Sequence, residues 1–369
     1  MLAQKTILVV LAAISFTSAL PHGRRSCRPH SSIAVPSAVP SAIPDVNGGS
    51  NNTSIVKDPS STATASPSAP AKPTKSESSP PPVKTMDVAT SIGALFPVSG
   101  YKESWSTASG APHPLPLSDS TFRPNHLLTS LSHDYVAAPD GKMSMKAHYP
   151  KGSYTFTHNP QGGLSFYAPG PANVDLSTAK EATFGYSVFF ENGFQFQKGG
   201  KLPGLYGGDN DEVAISCSGG RRDTRCFSAR LMWRGEGAGE FYTYLPPFTD
   251  PRFAANKKQC NVPPLSDCNP TYGASIGRGS FHFPTGQWTT VSERVRLNDV
   301  GQANGELELF VNGKSVVNVG GLVLRDSSAG RIRGIQMQTF FGGSHPDFAS
   351  PKDQNAYFSD FSVAITETL

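Results

Sequence analysis

Between Cys226 and Pro246 the chain carries a serine, two arginines and two tyrosines at alternate positions. Phe227, Ala229, Leu231 and Trp233 alternate with Ser228, Arg230, Met232 and Arg234. Beyond a glycine-rich break, Phe241, Thr243 and Leu245 alternate with Tyr242 and Tyr244. Strand side chains point to opposite faces in turn, so this reads as a β-hairpin with an apolar face and a polar one. With the turn centred near Gly237, Arg230 faces Tyr244, and Ser228 and Tyr242 share their face; a slip of one residue would separate the sets. Upstream, Lys198-Gly199-Gly200-Lys201-Leu202-Pro203-Gly204 reads as a strand end with a cation beside permissive glycines. A cation beside a tyrosine favours the phenolate and lowers its pKa from about 10. Such a set suits removal of a weakly acidic proton next to a carboxylate. Cations stabilise the charge that develops, and a second tyrosine protonates the leaving oxygen. On spacing alone, a solvated face or a sugar-binding groove fits better than such a site, with Trp233 turned to the core.

Other chemistries find less support. Asp209-Asn210-Asp211-Glu212 is the one tight acidic cluster of the central region. It follows Gly207-Gly208 and reads as a surface or calcium loop rather than as the carboxylate pair of a glycoside hydrolase. The nine histidines show no metal-ligand spacing. His345, in a Gly-Gly-Ser-His-Pro loop, reads as a structural residue or a lone general base. Gly-x-Ser-x-Gly is missing, and no phosphate-binding glycine loop opens a helix. The formal net charge of +4 is small and its basic residues are dispersed, which argues against nucleic acid.

The elements that must position the hairpin are strands. Phe184, Tyr186, Val188 and Phe190 alternate with smaller residues, and Phe194 to Gln197 repeats the rhythm. Leu307, Leu309 and Val311 run into Asn312-Gly313 and Val316-Val317, a type I′ hairpin signal. Ile335 to Phe340 and Tyr357 to Ile365 read as the last strands. Amphipathic helices are not evident. Short antiparallel strands of this kind predict an all-β fold, a β-jelly roll or concanavalin-like antiparallel sandwich with a polar groove on one curved sheet.

The combination Lys-Gly-Gly-Lys-Leu-Pro-Gly-Leu-Tyr-Gly-Gly, Ser-x-Arg-Leu-Met-Trp-Arg, Gly-Glu-Phe-Tyr-Thr-Tyr and Gln-Thr-Phe-Phe-Gly-Gly resembles polysaccharide lyase family 14. That family includes alginate and glucuronate lyases, and the chain is most similar to secreted fungal members. The resemblance runs from roughly Phe184 to the C-terminus and more weakly before it. It implies a β-jelly roll and a site of Lys201, Ser228, Arg230, Tyr242 and Tyr244. Lys201 and Arg230 are then expected to neutralise a uronate carboxylate, Ser228 to orient substrate or the tyrosines, and Tyr242 and Tyr244 to share the base and acid roles. Lys198 competes with Lys201 for the lysine position; Lys201 is preferred because it directly precedes Leu-Pro-Gly. Arg234, Gln336 and Gln338 are polar strand positions that extend the groove as substrate-binding candidates.

The ends of the chain set the compartment. Lys5, the apolar run Ile7–Phe16 and Thr17-Ser18-Ala19 have the order of a secretory signal peptide over residues 1–20, too short to span a membrane. Gly23-Arg24-Arg25 is either a dibasic cleavage site or a basic tail. Residues 21–84 form a Ser/Pro/Thr-rich linker expected to be disordered and glycosylated, with N-glycosylation sequons at Asn51 and Asn52. Residues 85–369 are long enough for one large lyase-like jelly-roll domain. Five cysteines in an exported chain point to disulfides, by proximity Cys217–Cys226 and Cys260–Cys268, with Cys27 left over.

The expectation is a secreted, monomeric polysaccharide lyase, cell-wall associated in one version. It would cleave a glucuronan- or alginate-like polymer by β-elimination, with an acidic polysaccharide as partner, no nucleic acid and no membrane span. No organic cofactor or metal is implied, and a structural calcium is left open. The alternatives are a non-catalytic carbohydrate-binding sandwich, a glycoside hydrolase, and a cell-wall structural protein.

Overall fold

The computed structural model describes residues 88–369. The signal segment and the whole linker, with Cys27, Asn51 and Asn52, lie outside the described residues. Among these residues the strands in chain order begin with β1 (Glu103–Ser106), β2 (Tyr135–Ala137), β3 (Met143–Tyr149), β4 (Leu164–Ala168) and β5 (Ala179–Phe190). Next come β6 (Gly199–Gly208), β7 (Cys226–Arg234), β8 (Ala238–Tyr244), β9 (Asp267–Cys268) and β10 (Ala274–His282). β11 (Trp288–Arg296), β12 (Gly305–Val311), β13 (Lys314–Leu322), β14 (Arg331–Phe341) and β15 (Gln354–Thr368) complete the order.

They form two antiparallel sheets. One has the order β13-β12-β11-β5-β15-β3-β2, with β1 also paired to β15; the other runs β4-β14-β6-β7-β8-β10-β9. The inward residues of each alternation meet between them: Phe184, Tyr186, Val188 and Phe190 of β5 pack with Leu205, Leu231, Trp233, Phe241 and Phe341 of the other sheet. This is the all-β sandwich of the jelly-roll type that the alternation predicts. The Asn312-Gly313 turn has both residues at positive φ, 49° and 79°, and joins β12 to β13 as a type I′ hairpin.

Several local expectations are corrected. The segment from Phe194 to Gln197 is not a strand. Phe194 and Phe196 pack in the core, but the backbone N–H and C=O of Gln195 bond the side chain of Gln354 instead of a neighbouring strand. The Lys198–Gly204 segment opens β6 rather than ending a strand, so Lys201 lies inside the sheet. Asp209–Glu212 is more than a loop. The Asn210 side chain accepts from Val213 N at 2.9 Å and caps a short helix, Asp211–Ala214. A helix of eight residues, Val88–Leu95, also precedes the first strand.

The cysteines pair as expected, Cys217 with Cys226 and Cys260 with Cys268. No helix among the described residues is long and apolar enough to cross a membrane.

Candidate active site

The hairpin β7–β8 turns through Gly235-Glu236-Gly237, with Glu236 and Gly237 at φ 57° and 77°. Trp233 pairs with Gly239, Arg230 with Tyr242, and Ser228 with Tyr244. The turn is thus centred one residue earlier than expected, and the register moves by two. A shift of two preserves the face, so Ser228, Arg230, Tyr242 and Tyr244 still share one side of the sheet. Trp233 lies on the other side, fully buried, and donates to Phe196 O at 3.0 Å.

The shared side is the outer face of the second sheet, apart from the main core. Met232, Tyr242 and Tyr244 cluster there with the Cys217–Cys226 bridge. Tyr167 of β4 and Tyr206 of β6 form a further patch, with ring centroids 4.8 Å apart. Neighbouring strands bring in the remaining polar groups, since β6 lies between β14 and β7. Lys201 pairs with Met232 on one side and Phe340 on the other.

Loops wall this face. The disulfide loop is tied down by Ser228, whose hydroxyl donates to Cys217 O at 2.7 Å. The same loop presents Gly220 N–H to the Tyr244 hydroxyl at 3.0 Å. From the β9–β10 connection, Gly273 N–H donates to the Tyr242 hydroxyl at 3.1 Å. Tyr272 reaches Ser344 in the loop after β14, its hydroxyl donating at 2.8 Å. Exposure is accordingly small: 8% for Lys201, 7% for Tyr242 and 1% for Arg230. The polar face is therefore a walled site rather than an open surface.

Two cations in it lack an acid partner. Arg230 Nη1 donates to Gln338 Oε1 at 3.0 Å, and its buried Nε has no partner among the described residues. Burial pulls its guanidinium below the ordinary arginine value, against the pull of Tyr244, Tyr167 and Tyr242. The Lys201 ammonium donates to the Met232 sulfur at 2.9 Å and lies 3.5 Å from the centre of the Tyr242 ring. Burial holds its amine well below the ordinary lysine value, and the Arg234 and Arg230 cations act the same way against Glu240. Among the described residues no carboxylate forms a salt bridge with either group.

Glu240 is spent elsewhere. It is fully buried, with Arg234 Nη2 at 2.7 Å on one oxygen and Arg278 Nε at 2.9 Å on the other. Arg234 therefore completes an ion pair at the edge of the site. Gln336 Nε2 donates to the Tyr167 hydroxyl at 3.1 Å and to Gln338 Oε1 at 2.8 Å. Gln338 Nε2 in turn donates to Ser165 Oγ at 3.0 Å. That network fixes the carboxamide oxygen that meets Arg230.

The expected lowering of a tyrosine pKa is reversed at Tyr242. Burial and the neighbouring Tyr244 raise it, and the Arg234 cation opposes them without prevailing. Lys198 is resolved from Lys201 by position: Lys198 is exposed and pairs with Asp347. His345 is exposed too, its Nδ1 at 2.7 Å from Asp347. The Asp209–Glu212 cluster sits beyond β6, where Asp211 meets Arg333. No group of His, Cys, Asp and Glu among the described residues could hold a metal ion.

Tyr167, Met232 and Glu240 are additions to the expected set. Ser165 and Tyr167 alternate with Leu164, Phe166 and Ala168 by the same rule that singled out β7. Glu240 likewise keeps step with Tyr242 and Tyr244. Tyr206 falls out of step with Lys201, and only an irregular strand brings them to one face.

The outer face of this antiparallel sandwich thus gathers an acid-free guanidinium, a lysine and two tyrosine hydroxyls. The chain belongs to the polysaccharide lyase 14 family, whose model matches residues 137–361. The match thus starts well before Phe184. The fold is similar to the marine PL-14 alginate lyase from Aplysia kurodai, 34% identical with a TM-score of 0.59, covering 72% of this chain and 99% of that one. It is also similar to alginate lyase vAL-1 from Chlorella virus, 26% identical with a TM-score of 0.53, covering 66% of this chain and 93% of that one. A curated relative, an exolysin of Paramecium bursaria Chlorella virus 1, is 24% identical over 185 residues. That match takes in 46% of this chain and 27% of the exolysin's length. By family the chain is a polysaccharide lyase, and its two disulfides fit a secreted enzyme.

Proposed function

We propose that the chain cleaves a uronic-acid-containing polysaccharide, alginate or a glucuronan-like polymer, by β-elimination outside the cell. The observation that carries this is Arg230, a buried guanidinium left without a carboxylate, beside the Lys201 amine and two tyrosine hydroxyls. A buried cation is costly unless something anionic completes it, and a uronate carboxylate does so. Alginate enters because it is the polymer named for both similar lyases.

In this reading the substrate carboxylate seats against the Arg230 guanidinium, which Gln338 holds in place. Charge that develops on the carboxylate as C5 loses its proton is stabilised there. Lys201 takes the C5 proton, since burial favours its neutral amine. This differs from the family resemblance, which implies that Tyr242 and Tyr244 share the base and acid roles. The C5–H electrons form the C4–C5 double bond, the C4–O4 bond breaks, and O4 leaves with a proton from Tyr242. Tyr242 suits that task, because its raised pKa keeps it protonated and its oxygen accepts from Gly273 N, leaving its own proton to give. Tyr244, held in the same way by Gly220 N, lines the opposite end of the hydroxyl pair. Ser228 acts indirectly, through the loop it anchors. The reaction as written uses protein side chains alone, on a monomer carried by a glycosylated linker.

The test is to incubate the purified chain with alginate, polyglucuronate and neutral glucans while following ultraviolet absorbance of the unsaturated product. The expected result is absorbance from a uronate polymer, abolished in Lys201→Met. Reducing ends without absorbance would instead mean hydrolysis, and retention on a polymer without any product would mean a binding module.

A further inference from the structure

Lys201 and Tyr206 lie on the outer face, whereas Leu202 and Leu205 lie in the core. A regular strand cannot arrange this, because Lys201 and Leu205 would fall on one face and Lys201 and Tyr206 on opposite ones. The pairing of β6 with β7 shifts between Leu202 and Gly204, so Pro203 is an extra residue, a bulge. Proline in an interior strand is tolerated at such a point because it has no N–H to place.

The bulge turns backbone groups toward the core, and two side chains of the opposite sheet meet them. The Tyr186 hydroxyl of β5 donates to Pro203 O at 3.2 Å. Leu205 N–H donates to Glu293 Oε1 of β11. Glu293 is 1% exposed, between Val291 and Val295, and pairs with Phe184 and Leu309 in its own sheet. Its second oxygen has no partner among the described residues. Burial pushes its carboxyl well above the carboxylate range, which favours the neutral acid in the core. An acid kept there at such cost calls for a role that a leucine would not fill.

We propose that Glu293 and Tyr186 are positioning residues that reach across the sandwich to hold the Pro203 bulge, and that the bulge sets Lys201 on the face of Arg230 and Tyr242. The inference rests on the reading of Lys201 as the base.

The test uses the whole chain and three variants. Glu293→Gln keeps an acceptor for Leu205 N, Glu293→Leu fills the core without one, and Tyr186→Phe frees the Pro203 carbonyl. Two measurements are made. The first is kcat and KM on the cleaved polymer across pH. The second is the Lys201 titration, by nuclear magnetic resonance of isotopically methylated lysines, which needs no catalysis. Glu293→Leu is expected to lower kcat on the order of tenfold to a hundredfold with KM little changed, as small misplacements of reacting groups do. The Lys201 titration should move up toward the ordinary lysine range. Glu293→Gln should retain both properties, and Tyr186→Phe should shift both in the direction of Glu293→Leu; it decides the matter if Glu293→Leu fails to fold. Unchanged kcat and an unchanged Lys201 titration in the folded variants would overturn the proposal, even if Tm fell. If the titration moves while the parent chain cleaves no polymer, the positioning stands and the lyase reading falls.

Discussion

Lys201 is a lysine in a place that disfavours its charge, with two arginines near and a thioether as its hydrogen-bond partner. Its depressed pKa gives the pH dependence a definite sign. The neutral amine is populated once pH exceeds that lowered value, so kcat/KM should rise with pH through it. Lys201→Arg cannot lose its proton and should cost about 10²–10⁴-fold in kcat while removing that acid limb. An acid limb that survives in Lys201→Arg would assign it to another group. At Arg230 the requirement is for charge and fork geometry together. Arg230→Lys keeps the charge but loses the Gln338 contact, and should raise KM while leaving measurable turnover. The residue types at these positions were legible because strand alternation exposes them, and the tyrosine pKa direction was not. Whether a cation or desolvation prevails depends on the loops above Tyr242, whose closure no local spacing encodes.

At the scale of elements, the site is a hairpin plus the loops that roof it. Ser228 and the Cys217–Cys226 bridge act on one loop, which in turn holds the Tyr244 hydroxyl. Ser228→Ala leaves the Cys217 carbonyl unpaired in a buried place and should cost about 1–3 kcal/mol, read by denaturant unfolding. Replacing both cysteines by serine should cost about 2–4 kcal/mol and lower activity through Tyr244. Glu293 gives a second pH signature, with its sign fixed by its raised pKa. The folded chain holds a proton there that the unfolded chain releases above the ordinary carboxylate range. Stability should therefore fall with rising pH relative to Glu293→Gln, by about 1.4 kcal/mol per pH unit, until the folded pKa is reached. Parallel stability curves for the two proteins would contradict this. The hairpin was readable to within its register, since a two-residue slip keeps the face. The Phe194–Gln197 alternation misled because alternation reports side-chain faces, and Gln354 takes the backbone groups that a partner strand would need. Pro203 signalled the bulge in plain view, but its partners Tyr186 and Glu293 come from distant strands.

For the whole molecule, the sandwich follows from many alternating strands and one strong Asn-Gly turn. The pairing order follows from contacts far apart in sequence, such as β14 with both β4 and β6. That order is what sets Gln336 and Gln338 beside Arg230 and Tyr167, which their own alternation could not specify. In the proposed reaction this assembled site eliminates rather than hydrolyses. The most direct measurement is to run the reaction in heavy-oxygen water and weigh the products by mass spectrometry. Elimination takes no oxygen from water, so unsaturated products free of label are expected. Saturated products carrying heavy oxygen at the new end would contradict it.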